Sequence, residues 1–279
     1  MSAPRAKVAL IQLRAPATQA AALAHVEPLV REAARGGAQF ILTPEGTNLL
    51  EQRREFRAKV VVRQADDPVV NGLKALAREL GVWLLIGSAI VLHEDPSETR
   101  AANRSILIGP DGEVRATYDK MHVYDVDLPT GERHRESANI RPGERAVVAE
   151  TPWGGLGLTV CYDVRFAHLF RALARAGADM ISVPAAFTVP TGQAHWEIML
   201  RARAIETGAF VLAPAQGGAH EDGRKTYGHS IVIAPWGEVI AKLDHDEPGV
   251  LFAELDFAEV EKARTAIQQL KHDREFAGP

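Results

Sequence analysis

Gly155-Leu156-Gly157-Leu158-Thr159-Val160-Cys161-Tyr162-Asp163-Val164-Arg165-Phe166 is the stretch on which the reading of this chain turns. Leu156 to Val160 predicts a short buried strand that ends on the only cysteine among 279 residues. Beyond it, Phe166, Leu169, Phe170 and Leu173 recur at three- and four-residue spacing, the period of a helix with one apolar face. A side chain at such a strand-to-helix junction stands at the edge of a sheet, within reach of a substrate. Backbone N–H groups opening the following helix can face the same point, favouring a thiolate and later holding an oxyanion. A lone cysteine is also an ordinary core residue. This stretch alone leaves both readings open.

Working outward, strands and helices alternate on both sides of the cysteine. Upstream, Lys7 to Leu13 predicts a buried strand, Ala17 to Arg35 an Ala-rich helix closed by Gly36-Gly37, and Ala38 to Leu42 a second buried strand. That strand stops abruptly at Thr43-Pro44-Glu45-Gly46. A helix over Val69 to Leu80 leads into a strand over Val82 to Leu92. Ala101 to Ile108 and Glu113 to Tyr118 then flank a Gly-Pro-Asp-Gly hairpin turn. His122 to Glu144 is polar, charged and without periodicity, a loop of a length that is usually functional or disordered.

Strand 145–150 precedes the cysteine strand, and the helix beyond it runs to Ala176. Downstream the pattern predicts strand Ala178 to Val183, a loop Phe187 to Ala194 and a helix His195 to Thr207. Strands follow at Ala209 to Ala213, His229 to Ala234, 239–243 and Gly249 to Leu255, and a closing helix opens at Phe257. No linker or repeat divides the chain. Alternation mixed with hairpins points to a layered α/β fold with mixed sheets, one domain over residues 1–279.

Composition bounds the partners. Hydrophobic residues make up 46% and charged residues 24%, which suits a chain that buries a real core. A net charge of −4 gives no electrostatic case for nucleic acid or an anionic membrane. No run reaches the length of a membrane span, and Met-Ser-Ala-Pro-Arg-Ala-Lys lacks the apolar core of a signal peptide. A single cysteine excludes an internal disulfide and suits a reducing cytosol. The expectation is a cytoplasmic protein.

Glu45 and Lys120 stand, like Cys161, just past the ends of strands, where layered sheets place their sites. A carboxylate beside a thiol can act as general base, and a lysine beside both can hold an oxyanion. Each also has a plain alternative, Glu45 as a charge at a helix start and Lys120 as a solvated loop cation. Spacing does not bring the three together.

Thr-Pro-Glu-Gly at 43–46, Tyr-Asp-Lys-Met-His at 118–122 and Leu-Thr-Val-Cys-Tyr-Asp-Val-Arg-Phe at 158–166 resemble the nitrilase superfamily of carbon–nitrogen hydrolases. The resemblance covers nearly the whole chain. It implies an α-β-β-α sandwich, a Glu45–Lys120–Cys161 catalytic set, and a second glutamate in the loop after the lysine, here Glu136. It also implies an oxyanion site from Lys120 and the backbone N–H of Tyr162, and homodimers or higher homo-oligomers pairing through the face that carries the helix after the cysteine. The lysine supplies the positive charge, so no metal and no cofactor is expected. Cys-Tyr-Asp-Val-Arg-Phe and residues 186–197 look like the amidase branches, and Val-Pro-Thr-Gly with Tyr-Gly-His-Ser most resembles the deaminated glutathione amidases. The implied substrate is a small-molecule amide. An ω-amidase acting on 2-oxoglutaramate is the alternative of the same chemistry, and a catalytically idle scaffold the alternative of another class.

Arg165 is placed to pair with a substrate α-keto carboxylate, or else to form an ion pair at the start of the helix. Thr188 and Thr191 fall in a loop that the resemblance sets near the pocket. His122, Asp125 and Asp127 read as solvated or locally bonded side chains, His195 and His229 as structural hydrogen-bonders, and Trp153 and Trp236 as packing aromatics. Gly154-Gly155-Leu156-Gly157 precedes a strand instead of opening a helix, a weak match to a phosphate loop.

Overall fold

Val8 and Leu10 point to one side of the first strand and Ala9 and Ile11 to the other, and all four are buried. A strand apolar on both faces must be covered on both, and the computed structural model, which describes residues 3–128 and 131–278, shows how. The first sheet orders its strands Gly249–Asp256, Arg5–Gln12, Phe40–Leu42, Trp83–Leu92, Ala101–Ile108 and Val114–Asp119. The second orders Val239–Lys242, Ile231–Ile233, Phe210–Ala213, Ala178–Ser182, Gly154–Leu158 and Val147–Thr151. Leu10, Phe40, Leu42 and Leu85 of the first sheet share one core with Leu156, Leu158 and Met180 of the second. Each fully buried residue of this kind contributes roughly 1.5–3 kcal/mol.

Helices close the outer faces. Val26 and Val30 of α1 (Gln19–Arg35) and Leu73 of α3 (Pro68–Leu80) pack with Ala9, Ile11 and Ile41; the short α2 (Arg54–Val60) lies between them in the chain. Asp67 caps α3, its Oδ1 accepting from the N–H groups of Val69 at 2.9 Å and Val70 at 3.0 Å. On the second sheet lie α4 (Ala167–Arg175) and α5 (Val189–Thr207), and α6 (Ala258–Ala266) packs Val260 into the same core. The α-β-β-α sandwich is thus the observed architecture.

In both sheets the central strands are parallel: Arg5–Gln12, Phe40–Leu42 and Trp83–Leu92 in one, Gly154–Leu158, Ala178–Ser182 and Phe210–Ala213 in the other. Glu45 follows the carboxyl end of Phe40–Leu42, and Cys161 that of Gly154–Leu158. Facing parallel sheets bring these ends together. A Cβ on Gly87 would lie 1.9 Å from the Thr43 carbonyl oxygen and 2.5 Å from Pro184 Cβ, so only glycine permits this approach.

Several expectations need correction. The cysteine strand stops at Leu158, because Asp163 takes the Val160 N–H at 2.8 Å and Pro184 O takes that of Cys161 at 2.9 Å. Residues 161–165 then form a tight 3₁₀ turn, and the α-helix opens only at Ala167, so its N-terminus does not serve the cysteine. Thr191 is not in a loop: α5 begins at Val189, directly after Thr188, with Pro190 in its first turn, where a missing N–H forfeits no bond. Trp153 packs on Phe40 and Trp83, but Trp236 is 52% exposed. Apart from 129–130, which lie outside the described residues, the polar stretch holds a small hairpin of Asp125–Asp127 with Arg133–Arg135. The helix α2 was not expected, since none of its residues is buried and no apolar stripe marks it.

Candidate active site

Cys161 adopts φ +50°, and His229 is the only other non-glycine residue with positive φ among those described. Such a conformation costs of order 1–3 kcal/mol and persists only where its surroundings enforce it. Here the enforcing group is Asp163, which is fully buried. Its Oδ2 accepts from Tyr118 Oη at 2.7 Å and Val160 N at 2.8 Å, and its Oδ1 from His122 N at 3.0 Å and Nδ1 at 2.7 Å. One carboxylate thereby ties the strand before Lys120, the turn of Cys161 and His122, which also stacks on Phe166 at 3.6 Å. Asp163→Asn turns one acceptor into a donor facing donors. We expect a loss of about 3 kcal/mol in urea unfolding, with reduced turnover as Cys161 loses its fixed position. An unchanged unfolding midpoint would contradict this role.

Glu45, Lys120 and Cys161, which spacing could not join, meet at one point together with Glu136. Lys120, 2% exposed, places Nζ 2.9 Å from Glu45 Oε1, and 3.1 and 2.8 Å from Glu136 Oε1 and Oε2. Glu45 Oε1 also accepts from Asn103 Nδ2 at 2.9 Å, its Oε2 accepts from Ala186 N at 2.9 Å, and the Cys161 thiol lies close enough to act on its carboxylate. Glu136 Oε2 accepts from Tyr124 N. Asn103 and Asp163 are the participants that sequence reasoning missed. Asp163 lay in plain view inside the cysteine motif, whereas nothing in Ala-Ala-Asn-Arg-Ser marks Asn103.

Charge states follow from this packing. Burial pushes the Glu45 carboxyl up, but the Lys120 ammonium, the neighbouring Cys161 thiol and the Asn103 amide outweigh it and hold the carboxyl below its usual range. Burial works against the Lys120 ammonium, yet Glu136 and Glu45 raise its pKa well above the ordinary value. Burial and then the Glu45 charge push the Cys161 thiol well up, against the pull of Lys120. The resting site is carboxylate, ammonium and neutral thiol.

These residues form the floor of a cavity of about 280 Å³. Tyr162, Arg165, Thr188 and Thr191 line it too. The Tyr162 N–H donates to no acceptor among the described residues. Thr188 and Thr191 join their hydroxyls at 2.8 Å. Arg165 makes no ion pair with a described carboxylate. Its guanidinium lies 5.7 Å from the Tyr162 ring centroid and 5.6 Å from that of Phe187, and reaches His195 Nδ1 at 3.3 Å. His229 Nδ1 binds Tyr227 O at 2.6 Å. Asp125 bonds Ser137, and Asp127 bonds Arg135 at 2.8 Å. Among the described residues no helix is long and apolar enough to cross a membrane.

Residues 7–265 match the carbon-nitrogen hydrolase family. The chain is 39% identical to deaminated glutathione amidase of Yersinia enterocolitica over 270 residues, 96% of this chain and 93% of the relative. Its fold matches the Caenorhabditis elegans NitFhit protein with a TM-score of 0.89 at 34% identity, covering 98% of this chain and 66% of that one. An amidase from Nesterenkonia sp. AN1, whose active-site cysteine carries a covalently added acetamide moiety, matches with a TM-score of 0.79 at 28% identity over 96% of each chain. With this sandwich and these relatives, the chain belongs to the carbon-nitrogen hydrolase family, as an amidase of the nitrilase superfamily.

Proposed function

We propose that the chain hydrolyses deaminated glutathione, 2-oxoglutaryl-cysteinylglycine, to 2-oxoglutarate and cysteinylglycine through a thioester on Cys161. The Glu45 carboxylate takes the thiol proton as Sγ attacks the amide carbonyl. Lys120 Nζ and the Tyr162 N–H hold the oxyanion. Glu45 passes its proton to the amide nitrogen, the C–N bond breaks and cysteinylglycine leaves. Water then attacks the thioester and gives its proton to Glu45. Collapse releases 2-oxoglutarate, and Glu45 returns the proton to the sulfur. Glu136 holds the Lys120 ammonium throughout.

The observation that carries the substrate reading is Arg165. A guanidinium in the cavity wall, on the same turn as Cys161 and unmatched by any described carboxylate, suits the α-keto carboxylate of the acyl part. The names of the relatives agree with this choice. At about 280 Å³ the cavity falls just below the roughly 300–1,000 Å³ typical for drug-sized ligands, a size that suits a small linear amide. The chain acts as one hydrolase domain over residues 1–279, in the cytoplasm, and as a homodimer or higher homo-oligomer. Exposed Ile198 and Ile205 on α5, with Gly237 against Ile205, offer an apolar surface for that pairing.

The test is release of 2-oxoglutarate from deaminated glutathione and from 2-oxoglutaramate, side by side. Higher kcat/KM on the tripeptide-sized compound supports the proposal. Preference for 2-oxoglutaramate makes the chain an ω-amidase, and silence on both overturns each reading. Arg165→Lys keeps the charge but loses the planar fork, and we expect KM to rise about tenfold with little change in unfolding. An unaltered KM would remove Arg165 from the substrate site.

A further inference from the structure

Five arginines line the cavity: Arg57, Arg133, Arg135, Arg165 and Arg224. Arg133 and Arg135 share Asp127, and Arg224 Nε donates to Asp222 Oδ2 at 2.7 Å. Lys120 is already matched by Glu45 and Glu136, and Glu51 by Arg53. Two guanidinium groups then have no carboxylate among the described residues. One is Arg165. The other is Arg57, on α2, whose side chain makes no hydrogen bond or ion pair with any described residue although it is half-buried.

Burial, and then the neighbouring Arg224 charge, pull the Arg57 guanidinium below its ordinary pKa. Two like charges beside each other in a half-buried wall form a place that an anion would relieve. Arg57 and Arg165 reach the cavity from different elements, α2 and the turn of Cys161. Arg57 stands in the half of the chain that supplies the first sheet, with Arg224, Glu136 and Glu51 as the charges acting on it. Arg165 lies on the turn of Cys161, over Tyr162 and Phe187. Tyr124, His134 and Asn103 line the same cavity, and their Oη, Nε2 and Oδ1 atoms are buried with no hydrogen-bond partner among the described residues. Such atoms require a polar ligand when water is displaced.

We infer that Arg57, with Arg224 beside it, is a specificity-determining subsite for a second carboxylate, so that the cavity selects amides carrying an anion at each end. Resting on the reading given under Proposed function, this second anion is the C-terminal glycine carboxylate of the leaving dipeptide, while Arg165 takes the acyl end. A monoanionic amide such as 2-oxoglutaramate leaves Arg57 unmatched.

The experiment compares deaminated glutathione with its C-terminal glycinamide, which keeps size and scissile bond but removes the second charge. Two readouts are taken: kcat/KM for 2-oxoglutarate release, and protection of the Cys161 thiol from iodoacetamide, which needs no turnover. The native chain should prefer the free acid about 10- to 100-fold, the loss typical of one charge-assisted contact. Arg57→Gln should bring that ratio to within about threefold, and Arg57→Lys should restore part of it. Since α2 buries no residue, these variants are expected to fold, and a matching unfolding midpoint verifies it. Turnover of both compounds at equal efficiency, or a preference that survives Arg57→Gln, overturns the subsite and leaves the amidase reading intact. Turnover of neither, with protection still dependent on the carboxylate and on Arg57, overturns that reading and leaves the subsite. Neither turnover nor protection overturns both.

Discussion

Cys161→Ala lowers kcat by at least about 10⁴-fold, the scale seen when a nucleophile is removed from a concerted set, while the fold survives. The two halves of this expectation have separate causes. In the proposed route the thioester forms on Sγ of the single cysteine, and Glu45 and Lys120 lie next to it at the cavity floor. The backbone conformation at 161 is fixed by other groups: the Cys161 N–H on Pro184 O and the Asp163 bonds around the turn remain in the variant. Alanine tolerates φ +50° no worse than cysteine does. Glu45 keeps Lys120, Asn103 and the Ala186 N–H as partners. Unfolding in urea should therefore change by only about 1 kcal/mol. Turnover above trace would mean that another group is the nucleophile, and the thioester route would fall with it.

Lys120→Met damages both activity and stability. It leaves the Glu45 and Glu136 carboxylates facing one another in a buried site with no cation between them. Removing one partner of a buried ionic cluster costs about 3–5 kcal/mol. The sign with pH is specific. In the native chain the folded pKa of Glu45 is depressed, so its contribution is present above the unfolded value and is lost as pH falls through the folded one. Without Lys120, burial dominates and the folded pKa rises, so the carboxylate then destabilises increasingly as pH rises. The gap in unfolding free energy between native chain and variant should be largest near neutrality and shrink as pH falls through about 4.3, the ordinary glutamate value, toward the depressed folded value of Glu45. Lys120→Met with Glu136→Gln should regain part of the stability and none of the turnover. A pH-independent gap would show that Lys120 acts through packing alone.

How far the sequence could be read differs from residue to residue. Cys161 was visible because a lone cysteine ends an apolar run, and Glu45 because Pro44 and Gly46 stop its strand. Their partnership was not visible, because separation along the chain carries no information about which strand ends face each other. Motif resemblance supplied that link, and the facing parallel strands account for it physically. The small hairpin between Asp125 and Arg135 escaped because a surface ribbon buries too little to impose a two-residue alternation. The first turn of α5 escaped because Pro190 and Gly192 read locally as loop residues, although a proline in the first turn is compatible with a helix.

By itself the sequence determined the layered α/β class, since apolar strands separated by helical periods have few ways to bury both faces. It also determined the chemical inventory of one thiol, its motif and the acids and bases near strand ends. Only the tertiary structure decided the charge states, since these depend on burial and on neighbours distant in the chain. It alone showed that Asp163 and Asn103 hold the site, and that Arg57 and Arg165 stand in one cavity with no ion pair to a described carboxylate. An unmatched charge is a property of a place, and a place exists only once the chain has folded.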